Sequence, residues 1–449
     1  MDLHELGIPK RIKRVVLTPP RILAFSFIVL ITLGTLLLKL PMATEEEITW
    51  LTALFTSTSA STITGLVVVD TGSVYTLFGE IVILCLIQAG GVGIMTFAVL
   101  IVLMLSKKIG IRFMLLIQQA LNQSSYGGIL RLVKVLLIFA FVSETIGALI
   151  LMSLWVPEMG WKQGTFASIF HSISGFNSAG FSIWSDSLIS HNNNPVILTV
   201  ISTLFVLSGL GFTVILDLYY SRKFKELSLH SKLMIIGTVV INFVALIVIF
   251  TLEFNNVKTI GQMTFSDKLF NSYFQAVTPR SAGLNSVDVS SMEDASVFFT
   301  IILMFIGAGS TSTGGGIKLT TFIALLLSVA TFLRGKSEAV ILGRTISDGT
   351  IIRAFAITVI LLGILFSTVF IMMITEDSSF IEILFEAVSA ISTCGLSMGI
   401  TGDLSSVGQL VIILLMYFGK LGPLTLLFIL AKPSIRRKVR YPYGEIITG

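Results

Sequence analysis

The amino-acid sequence predicts an all-α integral membrane protein in which one unit occurs four times in tandem around a common axis. The unit is an apolar span, a short re-entrant helix, a glycine-bearing loop and a second apolar span. Two observations put the chain in a membrane. Of its 449 residues, 54% are hydrophobic and 12% charged, with a mean hydropathy of +0.94, whereas a soluble domain is about 25% charged. Apolar runs of about 20 residues, the length that crosses a bilayer core, recur from end to end. A third observation sets the number of units. The stretches FTSTSASTITGL (55–66), FHSISGFNSAGF (170–181), YFQAVTPRSAGL (273–284) and FEAVSAISTCGL (385–396) each open on an aromatic residue and reach a glycine ten positions later.

Taken in order, residues 1–20 form a basic tail, with Lys10, Arg11, Lys13 and Arg14 ahead of the first span. The first unit covers 21–106 (spans 21–40 and 75–105) and the second 107–220 (spans 129–156 and 195–220). The third covers 221–333 (spans 232–252 and an interrupted 296–333), and the fourth 334–431 (spans 351–375 and 405–431). Residues 432–449 form a second basic tail. The run at 21–40 is too long for a cleavable signal and reads as a retained span. Between the paired spans lie segments 51–61, 165–175, 267–278 and 380–391. At about 11–12 residues they are too short to cross, and they read as re-entrant helices. No stretch between spans leaves room for a soluble domain, so a regulating nucleotide would have to be read by a partner.

Most Lys and Arg residues fall in the N-terminal tail, around 107–134, at 222–232, at 334–353 and at 432–440. Positive residues stay inside, which predicts cytoplasmic termini and calls for no nucleic-acid partner. The opposite side holds Lys39, Lys162, Lys258, Lys268 and Arg280. It is otherwise acidic, with Glu45, Glu46, Glu47, Asp70, Asp186, Asp267, Asp288, Glu293, Asp294, Glu376, Asp377 and Asp403. Singly these are solvated loop charges; together they raise the local cation concentration. Cys85 and Cys394 sit in apolar context and read as buried small hydrophobes rather than a redox pair.

The four repeats carry the chemistry. Irregular backbone at membrane depth is tolerated only when buried in protein or lining a water-filled path. A re-entrant helix aims the partial negative charge of its C-terminus at the centre, which favours a cation. The strip that follows can turn its carbonyl oxygens inward, and four strips around one axis replace the hydration shell of an ion. Glycine adopts backbone angles closed to other residues and leaves no side chain in a narrow passage. The candidate ion-binding residues are therefore Ile63, Thr64 and Gly65; Ser178, Ala179 and Gly180; Ser281, Ala282 and Gly283; and Thr393, Cys394 and Gly395. One such stretch would serve ordinary helix packing, which also uses small residues. Four at matched positions do not reduce to it.

TITGL, NSAGF, RSAGL and STCGL resemble the four filter loops of the Trk/Ktr/HKT superfamily of cation transporters. VVDTGSVYTLFG, AGGVGIMTF, SYFQAVTPR and MFIGAGSTSTGGGIKLTT resemble the KtrB-type membrane subunit in particular. The resemblance covers essentially the whole chain. It implies a potassium-translocating subunit with four helix–pore loop–helix units, working as a homodimer in the inner cell membrane among its lipids. It further implies control by a cytosolic nucleotide-binding ring subunit of the KtrA type, with ATP, ADP or NAD on that partner and no cofactor on this chain. In the superfamily, glycine at all four filter positions goes with potassium and serine at the first with sodium. Gly65 thus points to potassium.

The sixth span is interrupted by IGAGSTSTGGGIKLTT (306–321), in which Gly307, Gly309, Gly314, Gly315 and Gly316 fall together. Each glycine costs about 0.8–1 kcal/mol against alanine in a helix. The segment 306–318 therefore reads as a polar intramembrane loop, and it resembles the gating loop of the KtrB family. Its candidate residues are those five glycines with Ser310, Thr311, Ser312, Thr313 and Lys318. A phosphate-loop reading fails, because no Gly-Lys-Ser/Thr is present and no strand precedes it. A charge in the last span, Lys420 in YFGKLGPL, is by default functional. The family usually carries Arg there, and Lys keeps the charge without the planar fork of donors. Glu144 reads as the partner of Lys134 or Lys318, and His171 as a satisfied helix histidine. Three other readings remain: a sodium-coupled or sodium-carrying variant, a structural assembly factor, and an intramembrane serine protease using Ser310 with His230 as base.

Overall fold

The computed structural model describes residues 19–93, 129–221 and 223–422. The bulk of both basic tails, the expected span ends 94–105 and 423–431, and the basic stretch 107–128 lie outside the described residues. The chain forms α1 (Pro19–Leu38), α2 (Trp50–Thr62) and α3 (Leu77–Gln88), which runs into a π-helical turn, Ala89–Gly93. Then come α4 (Ile129–Asn177), α5 (Pro195–Gly209), α6 (Phe212–Tyr220), α7 (Leu229–Glu253) and α8 (Phe265–Val277). The last helices are α9 (Asp294–Phe305), α10 (Leu319–Leu333), α11 (Asp348–Thr375), α12 (Phe380–Ile391) and α13 (Ser406–Leu421). A two-stranded hairpin pairing Val340 with Thr345 joins α10 to α11.

Among the described residues, three helices are long and apolar enough to cross a membrane by themselves: Lys134–Asn177 within α4, Leu229–Glu253 and Asp348–Thr375. The expected span at 195–220 is not one rod. α5 and α6 meet at 89°, because the chain turns at Gly211, whose φ of 93° ends the helical path. The outward faces of α4, α7 and α11 are oily: Phe141, Leu149, Val239, Phe243, Val359, Phe366 and Phe370 are all exposed. A protein in water rarely exposes so many large apolar side chains along single helices. Cys85 belongs to this outer surface, on α3, and is exposed rather than buried; Cys394 is buried as expected.

The short helices α2, α8, α12 and the part of α4 beyond Gly160 start and stop on local signals. Thr49 and Thr264 cap α2 and α8 through their hydroxyls, and Ser379 with Glu382 forms a reciprocal capping box on α12. These side chains satisfy N–H groups that a helix start leaves without partners. In α4 the break is Gly160, at φ 77°. Phe55, Phe170 and Phe385, which open the first, second and fourth repeats, are completely buried, and so is Phe274, which follows the opening Tyr273 of the third. In lipid the gain comes from close packing rather than from leaving water. Small residues let the backbones approach. Gly34 faces Ser57 and Gly90 faces the Ser61 carbonyl, while a Cβ on Gly147 would lie 2.7 Å from Ser172 Oγ.

Candidate functional site

Each short helix ends in the same way. The residue two before the motif glycine is left-handed, and so is the glycine: Ile63 and Gly65 (φ 52° and 95°), Ser178 and Gly180 (57° and 73°), Ser281 and Gly283 (76° and 74°), Thr393 and Gly395 (45° and 97°). Positive φ at β-branched Ile63 and Thr393 is a real outlier, worth about 1–3 kcal/mol of strain each, of the kind that collects at functional sites. Hydroxyls steady the strips. Gly65 N–H donates to Ser59 Oγ at 3.0 Å and Gly395 N–H to Ser389 Oγ at 3.1 Å. Ser174 Oγ donates to the Phe181 carbonyl at 2.6 Å.

The four glycines close a ring. A Cβ added to Gly65 would lie 2.8 Å from Gly180 Cα, and one on Gly180 3.1 Å from Gly283 Cα. One on Gly283 would lie 3.1 Å from Gly395 Cα, and one on Gly395 3.0 Å from Gly65 Cα. Thr64, Ala179, Ala282 and Cys394, which precede the glycines, are all buried. The twelve residues marked in the sequence are thus brought together. No methyl group fits at any of the four corners without displacing backbone.

The loop 306–318 packs against the third and fourth strips. Its neck is closed by a bridge between Ile306 and Ile317. Gly315 N–H donates to Ser281 Oγ at 3.3 Å, and that hydroxyl lies 3.1 Å from the Ser392 carbonyl and 3.0 Å from that of Thr393. A Cβ on Gly314 would sit 2.6 Å from Ser281 Cβ, and one on Gly315 2.7 Å from Thr393 Oγ1. Two ammonium groups hold the loop: Lys420 Nζ donates to the Thr313 carbonyl at 2.8 Å, and Lys318 Nζ to that of Gly314. On its other flank the loop rests in the α5–α6 corner. Gly309 N–H donates to the Gly209 carbonyl at 2.8 Å, Phe212 N–H to that of Thr311 at 3.3 Å, and the Thr213 and Thr311 hydroxyls are 3.1 Å apart. Ser310 Oγ pairs with Thr320 Oγ1, and His230 Nε2 with Thr213 Oγ1. The serine and histidine of the protease reading therefore do not meet.

Two charged residues stand elsewhere than expected from the sequence, and a third was not expected at all. Arg280 is not an outer-loop charge. It is buried in the third strip, where Nη1 donates to Asn242 Oδ1 at 3.0 Å. Its Nε has no partner among the described residues and it lines a small cavity with Thr238 and Ala308. Glu144 pairs with neither lysine; its carboxylate accepts from the amides of Gln88 and Asn177. Glu386, which the sequence reading passed over, is fully buried in α12 and accepts from Ser397 Oγ at 2.9 Å and from Thr401 Oγ1. Those two hydroxyl residues line a cleft with Gly65, Leu66 and Gly395. A charge in the middle of a short helix was the signal that could have found it. His171 behaves as expected, with Nδ1 2.8 Å from the Ala167 carbonyl and Nε2 3.0 Å from Ser182 Oγ. No cluster of metal-ligating side chains occurs among the described residues.

The model of a family described as cation transport proteins, TrkH, matches residues 10–437. The chain belongs to the TrkH family. Membership makes it a multi-pass membrane transport protein rather than an enzyme. It is 51% identical to the Ktr system potassium uptake protein B of Bacillus subtilis over 98% of this chain and 99% of that one. It is 36% identical to the potassium/sodium uptake protein NtpJ of Enterococcus hirae, over 98% and 99%. Among solved structures, the potassium transporter TrkH of Vibrio parahaemolyticus shares the fold, with a TM-score of 0.73 over 95% of this chain and 88% of that one at 20% identity.

Proposed function

We propose that this chain is the potassium-translocating membrane subunit of a Ktr-type uptake system, with the four strips as its selectivity filter and the loop 306–318 as its gate. The closed ring of four left-handed glycines, one from each repeat, carries the reading. The four units of the sequence surround one axis. Carbonyls of residues 63–65, 178–180, 281–283 and 393–395 replace the hydration shell of a bare cation, and the C-termini of the short helices add negative potential at the inner end. The loop lies beneath the third and fourth strips. Passage then requires breaking the Lys420–Thr313 contact and the contacts in the α5–α6 corner.

The chain lies in the cell membrane with both termini in the cytoplasm. The ion is potassium, in keeping with the names of its relatives. The basic loops 222–225 and 334–344 and the basic C-terminal tail dock a cytosolic nucleotide-binding ring, and the subunit works as a homodimer. A second reading, with sodium carried or coupled, rests on the potassium/sodium uptake protein of Enterococcus hirae. The test is growth of cells stripped of their own potassium transporters. This chain, supplied with a ring subunit, rescues growth at low potassium; rescue of sodium uptake alone would move the assignment to the second reading.

A further inference from the structure

Beneath the second strip lies a buried polar cluster that the filter and gate do not use. Glu144 stands on the long part of α4 and is 7% exposed. Gln88 Nε2 lies 3.2 Å from each of its oxygens, and Asn177 Nδ2 lies 3.1 Å from Oε1. Asn177 also donates to Gln88 Oε1 at 2.7 Å. It is the last residue of its helix and immediately precedes Ser178, Ala179 and Gly180. Gly91, in the π-helical turn, closes on the Asn177 side chain. The two side chains that bond the carboxylate both present amide N–H groups to it, the arrangement that an ionised carboxylate, which only accepts, can satisfy. No cation neutralises it among the described residues. In the third unit Arg280 stands where Asn177 does, three residues before the glycine, and bonds to Asn242 on α7, so there the charge sits on the strip and the amide on the span.

We infer that Glu144 is a fixed negative charge that sets potassium affinity, acting through space on the cation at the inner end of the filter while its bonds to Asn177 and Gln88 hold it in place. It is a positioning and specificity-determining residue, not an ion ligand. In a low-dielectric surround such a charge is weakly screened, and removing it weakens cation binding about tenfold. The inference rests on the filter reading above.

The test is potassium uptake kinetics in membrane vesicles for wild type, Glu144→Gln, the exchanged pair Glu144→Gln/Asn177→Asp, and Gly65→Ser as reference. Glu144→Gln keeps the shape and lets Gln88 turn its amide over, so the expected result is a KM raised about tenfold with the maximal rate nearly unchanged. The exchanged pair returns a carboxylate to the cluster and recovers most of the affinity. An unchanged KM, or a loss confined to maximal rate, overturns the inference. If Glu144→Gln does not accumulate in the membrane, the exchanged pair is read alone: a KM close to wild type is expected, because one carboxylate remains in the cluster, and a KM raised about tenfold overturns the inference. Gly65→Ser separates the two claims. If it alters ion preference while Glu144→Gln has no effect, only this inference falls; if it too has no effect, the filter reading falls first.

Discussion

Replacing Lys420 with Met keeps the length and bulk of the side chain and removes only the ammonium. The Thr313 carbonyl then loses a bond of 2.8 Å to a charged donor. Bonds of that kind contribute about 1.5–3 kcal/mol, and about 1.4 kcal/mol is a factor of ten in an equilibrium. The released state of the loop therefore gains roughly 10- to 150-fold in relative population. Lys318 still holds Gly314, and the α5–α6 corner still holds Gly309 and Thr311, so the loop is loosened rather than freed. The fold itself does not suffer, because a buried ammonium is held at a cost in desolvation that Met avoids. The assay is tracer rubidium flux into proteoliposomes without the ring subunit, at matched protein content. Flux well above wild type is expected for Lys420→Met, and near wild type for Lys420→Arg, which keeps a charged donor. Lys420→Met flux at or below wild type, with the protein intact, would refute the reasoning that this contact holds the passage closed.

Gly283→Ala puts a methyl against the Cys394 carbonyl and 2.9 Å from Gly180 Cα at a φ of 74°. Left-handed backbone costs about 1–2 kcal/mol and overpacking about 1–3 kcal/mol, so uptake falls by more than tenfold; wild-type uptake would contradict a close-packed ring. Deleting 309–316 raises basal flux and abolishes its dependence on the ring, measured with and without the partner; flux that stays fully regulated removes the loop from gating. Reversing the charges of Lys223, Lys225, Lys336 and Arg344 reduces copurification with a nucleotide-binding ring while leaving glycine-ring ion preference intact. Undiminished copurification would put the docking surface elsewhere.

The strips and the loop were legible in the sequence because each departs from what a membrane helix tolerates. STITG and GAGSTSTGGG place hydroxyls and glycines where leucine packs best, and the former is repeated at matched positions. The α5–α6 bend was not legible. Gly209 and Gly211 are ordinary in spanning helices, and only the loop resting in the corner gives them a purpose. Arg280 was assigned to the outer side because the count of charges by segment treats everything between two spans as outside. A chain that dips and returns carries its central residues back to mid-membrane depth. Glu144 shows a related limit. Opposite charges in neighbouring spans suggested an ion pair, but the side chains at reach were amides from α3 and from the end of its own helix. Sequence distance to Gln88 and Asn177 gave no hint of that.

The most direct measurement compares potassium and sodium uptake by wild type and Gly65→Ser in cells lacking their own potassium transporters. Gly65 has the most open backbone demand of the first strip, with a φ of 95° and the Ala179 carbonyl 2.6 Å from any added Cβ. A serine there disturbs one quarter of the ring without touching the loop. The account predicts rescue of growth at low potassium by wild type, and weaker rescue with reduced discrimination against sodium by the variant. Equal potassium uptake and equal ion preference in both would contradict a cation path through the four glycines.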